Sequence, residues 1–352
     1  MVIVGTGFVA PYHVAGWRGC PGVEVVAAVE RDPDAAGARL GELGIARAYG
    51  TIAEAVAGEA PDIIDIASPL CLHAAHVRTA AAAGCHLMVQ KPLAPTLEEA
   101  IGLYETVRAA GVRAMVHENF RFRPWNRALK SVLARGDIGT PFYLRSAQRM
   151  AGTVLSTERP QTPWNIARQP FFAGMERLII LEAIIHQIDV ARYLLGEPTR
   201  VYARARRVSP HVRGEDTAML VLSFEGVDAL IERSYASLGH PSPASGQGES
   251  VVVEGDLGTA FISPEGAVRV VRDGPAGRSE ETVPVDIVDA YPRSYAGAIA
   301  HFVEGLRRGT PFETDLADNL GTLAATLAAY RSVATGEAVP LVADPARMDA
   351  SL

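Results

Sequence analysis

The first 120 residues alternate short apolar runs with helix-like stretches, and this alternation restricts the fold more than any other feature of the chain. Residues 2–4 ("VIV"), 23–29 ("VEVVAAV"), 62–67 ("DIIDIA"), 86–89 ("HLMV") and 112–117 ("VRAMVH") are short and rich in Val and Ile, as buried strands are. Between them lie Ala-rich segments such as "CLHAAHVRTAAAAG" and "TLEEAIGLYETVRAAG". The second opens with Thr96 and Glu99 at capping-box spacing and closes on Gly111. Strand, helix, strand in succession requires crossovers, and therefore a parallel sheet covered on both faces. The pattern predicts an α/β fold whose N-terminal domain, residues 1–119, is doubly wound.

The glycines sharpen that expectation. "VIVGTGFVA" sets Gly5, Gly7 and Ala10 in G-x-G-x-x-A form between a strand and a helix, with Phe8 and Val9 inside the turn. The first glycine allows the tight turn, and the second lets backbone amides approach a pyrophosphate at the helix N-terminus. The next strand ends at Glu30, 23 residues past Gly7, where a ribose-binding acid belongs. Glu30 would accept hydrogen bonds from both adenosine ribose hydroxyls and repel a 2′-phosphate, which favours NAD over NADP. Arg31 next door keeps NADP open, since a guanidinium can bind that phosphate.

Other candidates lie at the carboxyl ends of strands, where ligands sit in such sheets. In "ASPLCLH", Ser68, Pro69 and His73 could line the nicotinamide end; His73 and His76 lack an acidic or thiolate partner for a metal. In "MVQKPLAPT", Gln90 and Lys91 stand just past another strand, and the Lys91 ammonium could stabilise a developing alkoxide. An ordinary surface lysine is the competing reading. In "VHENFRFRPW", Asn119 and Arg121 are candidates for an interdomain cleft, while Glu118 and Arg123 read equally well as a polar hinge.

After about residue 120 the texture changes. A helix ("PWNRALKSVLARG") precedes a strand near "FYLRSAQR", an irregular segment over 152–177, and the apolar helix "LIILEAIIHQIDVARYLLG". Then come "RVYARARRV", "TAMLVLSF", "DALIERSYA", "SVVVEG", "TAFIS" and "AVRVVR", with turn signals at Glu225-Gly226, Gly255-Asp256 and Asp273-Gly274. Successive strands without crossover helices predict a largely antiparallel open sheet in an α+β domain spanning 120–352. "SLGHPSPASGQGES" (237–250) reads as a loop, and residues 317–336 as a terminal helix.

The apolar helix carries Glu182, His186 and Asp189, four and then three residues apart. Glu182 and His186 could hold a metal, but catalytic zinc needs a third protein ligand. They could form a proton-transfer pair, or belong to a satisfied core network with Asp189. Spacing alone favours the core network.

Composition narrows the function classes. Arg and Lys total 33 against 40 Asp and Glu, a net charge of −7. Nothing in that balance draws the chain to nucleic acid or an anionic membrane. The run Arg200, Arg204, Arg206, Arg207 reads as the solvated face of a strand. No stretch approaches the roughly 20 apolar residues of a membrane span, and no signal-peptide pattern is present. Three cysteines without a CxxC suit a reducing cytoplasm, with no metal site expected.

Together the glycine turn, "SPLCLH", "QKPLA", "NFRFRP" and "EAIIHQIDVARYLLGE", in this order and spacing, resemble the glucose–fructose oxidoreductase / inositol dehydrogenase (Gfo/Idh/MocA) family. The set "QKP", "HENFR", "ARQPFF" and "LIILEAIIHQID" resembles its D-apiose dehydrogenase-like branch. The resemblance implies an NAD-dependent sugar dehydrogenase, assembled as a homodimer or homotetramer through the C-terminal sheet. It also implies catalysis by Lys91, His186 and Glu182. Gln90 stands where the family has glutamate, Glu182 where it has aspartate, and Leu70 where asparagine often follows the proline. The implied substrate is an aldose such as D-apiose, oxidised to its lactone, or a related sugar or polyol. Lys91, Asn119, Arg121, Glu182 and His186 would surround it, with Trp164, Arg168 and Gln169 reaching in from the irregular segment. An NAD-using glycosidase of the same superfamily and a non-catalytic nucleotide-sensing regulator are the rival readings.

Overall fold

The computed structural model describes residues 1–239, 249–263, 266–275 and 277–342. The chain divides into two compact units. One comprises Met1–Asn119 with Tyr291–Leu323, the other Phe120–Ala290 with Ala324 onward.

In the first unit, β1 (Val2–Val4), α1 (Ala10–Arg18), β2 (Ala27–Val29), α2 (Gly37–Leu43), β3 (Ala48–Tyr49), α3 (Ile52–Glu59), β4 (Ile63–Ile66), α4 (Leu70–Ala82), β5 (His86–Val89), α5 (Leu97–Ala109) and β6 (Ala114–Val116) alternate as expected. The six strands form a parallel sheet in the order β3-β2-β1-β4-β5-β6. The order reverses between β1 and β4, and a crevice opens outside the carboxyl ends of the strands at such a switch point. Thr96 caps α5 by accepting from the Glu99 amide at 3.2 Å, a contact worth about 1 kcal/mol. Strand β2 is shorter than "VEVVAAV" suggested, and the two-residue β3 had no hydrophobic pattern to announce it.

The second unit holds α6 (Pro124–Ala134), β7 (Pro141–Arg149), α7 (Trp164–Arg168), a π-helical turn over Ile180–Ile184, α8 (Ile185–Leu195), β8 (Arg200–Arg206), β9 (Thr217–Ser223), β10 (Asp228–Ser234), β11 (Glu249–Gly255), β12 (Gly258–Ile262), β13 (Val268–Gly274) and β14 (Gly277–Val283). The last elements among the described residues are α9 (Ala290–Arg308), α10 (Leu316–Thr335) and β15 (Val339–Pro340). The nine strands β14-β13-β12-β11-β7-β10-β9-β8-β15 form one sheet, antiparallel except where β7 pairs with β10. On its inner face Leu144, Val253, Ala229 and Leu222 form an apolar row, packed with Ile179, Ile180, Ile184 and Ile188 into one core. On the other face Arg200, Arg204 and Arg206 are exposed, alternating with buried Val201 and Ala203 as a half-buried strand requires.

Four features depart from the sequence reading. Helix α9 was not anticipated, although Ala298, Ile299, Phe302 and Val303 bury one face at helical spacing and Pro292 lies where a first turn tolerates it. Because Tyr291–Leu323 packs with the first unit, residues 120–352 do not form a single block. The 152–177 segment contains α7 and a 3₁₀ turn at Pro170–Gly174. Of the loop expected over 237–250, Glu249 and Ser250 lie in β11, and 240–248 fall outside the described residues.

Candidate active site

At the glycine turn, Gly5 has φ +92°, and a Cβ there would stand 2.9 Å from the Ala67 carbonyl. The position therefore demands glycine twice over, for conformation and for close approach to the end of β4. A Cβ on Gly7 would meet nothing within 4 Å, so the turn faces open space on that side. No side chain caps α1, which leaves its first amides to a ligand. Glu30 accepts from the Thr6 amide and from Thr6 Oγ1 at 2.5 Å, and lies at the carboxyl end of β2. Arg39 was not singled out by sequence. It braces the turn, donating from Nε to Thr6 O at 2.9 Å and from Nη2 to Gly7 O at 3.1 Å. Phe8 and Val9 are half-buried in the turn and Arg31 is exposed. These features fit a bound dinucleotide.

His73 is buried between two loops at the carboxyl edge of the sheet. Nε2 faces Ser68 O at 3.0 Å and Nδ1 faces Pro92 O at 3.0 Å, so the ring ties the loop after β4 to the loop after β5. Ser68 Oγ meets His76 Nδ1 at 2.9 Å, while Pro69 is exposed. Burial, followed by the nearby His73, holds the His76 pKa below its ordinary value. Lys91 is half-buried beside Gln90, whose Oε1 accepts from the Lys91 amide at 3.2 Å. Gln90 Nε2 lies 2.7 Å from His13 Nε2, and His13 Nδ1 lies 2.7 Å from Asp65, which also accepts from Trp17 at 2.5 Å. A buried chain thus runs from the middle of β4 to the backbone of Lys91. The only sequence signals for it were polar residues in apolar runs, His13 in α1 and Asp65 in "DIIDIA". Asn119 is buried and donates to Ser294 Oγ on α9 at 2.8 Å, so its amide is engaged within its own unit.

In the second unit, the segment carrying Glu182 and His186 is not a regular α-helix. It begins as a π turn containing Glu182 and becomes α-helical at Ile185, so the i, i+4 pair spans the junction. Such turns recur at functional sites. Glu215 holds its start, accepting from the amides of Leu178 and Ile180 at 3.1 Å each and from Tyr330 Oη at 2.7 Å. Tyr330 Oη in turn accepts from the Leu181 amide at 3.1 Å. Burial, then the Glu215 charge, pushes the Tyr330 pKa well above the ordinary phenol range.

His186 is 7% exposed and stacks on Phe120, with centroids 4.2 Å apart and planes 6° from parallel. On Phe120 the Arg123 guanidinium lies 3.3 Å from the ring centroid, and Arg123 Nη1 bonds Glu249 at 2.5 Å. Arg123, which the sequence left as a possible hinge residue, is therefore buried and ion-paired. Asp189 is fully buried and receives Arg121 Nε at 2.7 Å and Nη2 at 2.8 Å, a bidentate fork. That pair commits two donors of an arginine expected at substrate, and it gives Asp189 its partner in the core. Glu182 is half-buried. On α7, Arg168 lies 4.0 Å over the Trp164 ring, so these two expected substrate residues pair with each other. Gln169 ends the helix. Among the described residues no group of three His, Cys, Asp or Glu could hold a metal ion.

Comparison with known proteins defines the class. The GFO_IDH_MocA family, an oxidoreductase family with an NAD-binding Rossmann fold, matches residues 1–118, and the GFO/IDH/MocA C-terminal domain matches 126–261. The chain belongs to this family: it is an oxidoreductase with an NAD-binding Rossmann domain. It is 34% identical to the D-apiose dehydrogenase of Paraburkholderia graminis over 96% of this chain and 88% of that protein. It is 33% identical to the D-apiose dehydrogenase of Rhizobium rhizogenes, covering 96% of each. An oxidoreductase from Agrobacterium radiobacter, solved in complex with NAD+, L-tartaric acid and magnesium, superposes with TM-score 0.87 at 31% identity, over 99% of this chain and 98% of that one.

Proposed function

We propose that the protein is an NAD-dependent dehydrogenase that oxidises a CH–OH group of a sugar or polyol, with Lys91 and His186 as its acid–base groups. The observation that carries this reading is the fixation of His186. A buried imidazole, stacked flat on Phe120 and mounted where a π turn meets an α-helix, is preorganised for proton transfer. The nicotinamide, when bound, supplies the hydride acceptor. His186 takes the hydroxyl proton, and Lys91 hydrogen-bonds the reacting oxygen and stabilises its negative charge. Glu182 orients the imidazole or receives a neighbouring hydroxyl. The Gln90–His13–Asp65 chain fixes the backbone of Lys91, and Glu30 receives the adenosine ribose. The two D-apiose dehydrogenases support an aldose as substrate, giving a lactone on oxidation at the anomeric carbon.

General acid–base groups contribute roughly 10²–10⁴ in rate. Lys91→Ala and His186→Ala should each lose at least ~100-fold in turnover while NADH binding persists. The assay is a panel of free sugars, polyols and glycosides with NAD and NADP in parallel, read as net NADH or NADPH. Near-normal turnover in both variants sinks the catalytic assignment. Glycoside cleavage without net NADH replaces it with a glycosidase.

A further inference from the structure

Four arginines of the second unit are buried: Arg121, Arg123, Arg192 and Arg233. Three are matched by carboxylates, Asp189, Glu249 and Glu197 respectively. Arg233, on β10 and 6% exposed, has no carboxylate within ion-pair distance among the described residues. Its Nη1 makes two long contacts, 3.3 Å to Ala183 O and 3.5 Å to Gln187 Oε1. Nε is sealed from solvent without an acceptor, and Nη2, also without one, is not sealed. A buried, unneutralised guanidinium carries a desolvation cost, and neutral acceptors at these distances offset little of it.

Its surroundings relate it to the site. Glu249, Gln148 and Arg233 stand in register on β11, β7 and β10, and form a polar row on an inner face that is otherwise mostly apolar. One end of the row reaches the helix through Arg123, Phe120 and His186. The other reaches it through Ala183 and Gln187, the neighbours of Glu182 and His186. A second orphan lies close by. Asn165 on α7 is fully buried with neither Nδ2 nor Oδ1 bonded, and it crowds Gly152 so closely that a Cβ there would collide with Nδ2 and press on the Tyr235 ring. The Arg233 guanidinium sits 5.4 Å from that ring's centroid.

We propose that Arg233 is a binding residue for a carboxylate, so that the substrate class best held by this site is a polyhydroxy acid rather than a neutral sugar. The proposal rests on the dehydrogenase reading for its hydride chemistry and alters only the distal group of the substrate. A carboxylate supplies both the missing charge and an acceptor for the accessible Nη2, whereas a hydroxyl supplies no charge. With the acid in place the fourth buried arginine is neutralised like the other three.

L-Tartrate and L-threitol test this, since they differ only in carboxylate or CH2OH ends. Calorimetric titration of the NADH-loaded protein should show tartrate binding at least ~10-fold tighter than threitol. Arg233→Met should abolish that preference while leaving NADH binding intact, and Arg233→Lys should keep part of it. Without ligand, Arg233→Met should melt no lower than the parent, because removing an unpaired buried charge relieves its desolvation cost. Equal affinity for the two probes, binding of neither, a preference that survives in Arg233→Met, or a marked loss of stability in that variant overturns the proposal. Net NADH formation with free sugars is scored separately, so a dehydrogenase confined to neutral sugars leaves the parent reading intact and this one refuted.

Discussion

The Phe120 ring lies flat against the His186 imidazole, and the Arg123 guanidinium lies over the same ring. A histidine that must meet a hydroxyl proton within hydrogen-bond reach gains from such a clamp, since misplacement by about 1 Å can cost about 100-fold in rate. Phe120→Leu keeps the volume apolar but removes the flat surface. It should lower kcat by roughly 10-fold while the affinity for NADH, measured by fluorescence titration, stays unchanged. An unaltered kcat would show that the stack is packing alone.

Arg121 and Asp189 form a buried bidentate pair, 5% and 0% exposed at the side chain. Removing one partner strands the other charge in the interior. Asp189→Ala should therefore cost about 3–5 kcal/mol of stability, seen as a lower midpoint in urea unfolding. The contrast with Arg233→Met, which strands nothing, is the internal control.

Tyr330→Phe removes one hydroxyl that serves both the Leu181 amide and Glu215. Glu215 keeps the Leu178 and Ile180 amides, but the Leu181 amide loses its acceptor, which should cost about 1–3 kcal/mol. Because the same hydroxyl holds the start of the turn that bears Glu182, turnover should fall alongside the thermal midpoint. A variant that melts lower yet turns over normally would separate the turn's stability from its chemistry.

His117 is fully buried beside His13 and Tyr295, and burial, then the neighbouring His13, depresses its pKa well below 6.5. The unfolded chain takes up a proton at this position more readily than the folded one as pH falls through about 6.5. The stability associated with neutral His117 is complete above that pH and is lost progressively below it. Thermal midpoints measured from pH 7.5 to 5.5 should decline, and His117→Phe should flatten the profile. An identical slope in that variant would move the effect elsewhere.

On the outer face of the nine-stranded sheet, Tyr202 pairs with Val221 and Arg204 with Met219, leaving Tyr202, Val221 and Met219 exposed. Apolar side chains side by side on an open sheet face mark an interaction surface. We expect a homodimer or homotetramer through this face, and Met219→Arg should shift the mass measured by light scattering toward the monomer. A monomeric parent protein would end this expectation.

Much of the fold was legible in one dimension because its signals are local. Val2–Val4, Ile63–Ile66 and His86–Val89 announce themselves as short apolar runs, and Gly5, Gly7 and Ala10 mark a tight turn within nine residues. Helix α9 was legible too, in the spacing of Ala298, Ile299, Phe302 and Val303, but its polar positions and Pro292 obscured it. Lys91, Glu182 and His186 were singled out as catalytic candidates by the family resemblance, since spacing alone favoured a core network for the helix pair.

Their setting could not be read from sequence, since a side chain's partner is chosen across the fold by which strands and helices pack together. Asp189 and Arg121 are 68 residues apart, Arg123 and Glu249 126. Glu182 and His186 looked like neighbours on an α-helical face, yet a π turn anchored by Glu215 and Tyr330 alters their register. Arg233 shows the division most plainly. In sequence it is one more charged residue in a strand, and only the registry of β11, β7 and β10 beneath the helix leaves it buried without a counter-charge. Sequence determined the layers and the glycine turn, because periodicity and turn chemistry act over a few residues. Tertiary structure decided which charges are paired and which one is left for a ligand, because burial and ion pairing depend on residues that meet only after folding.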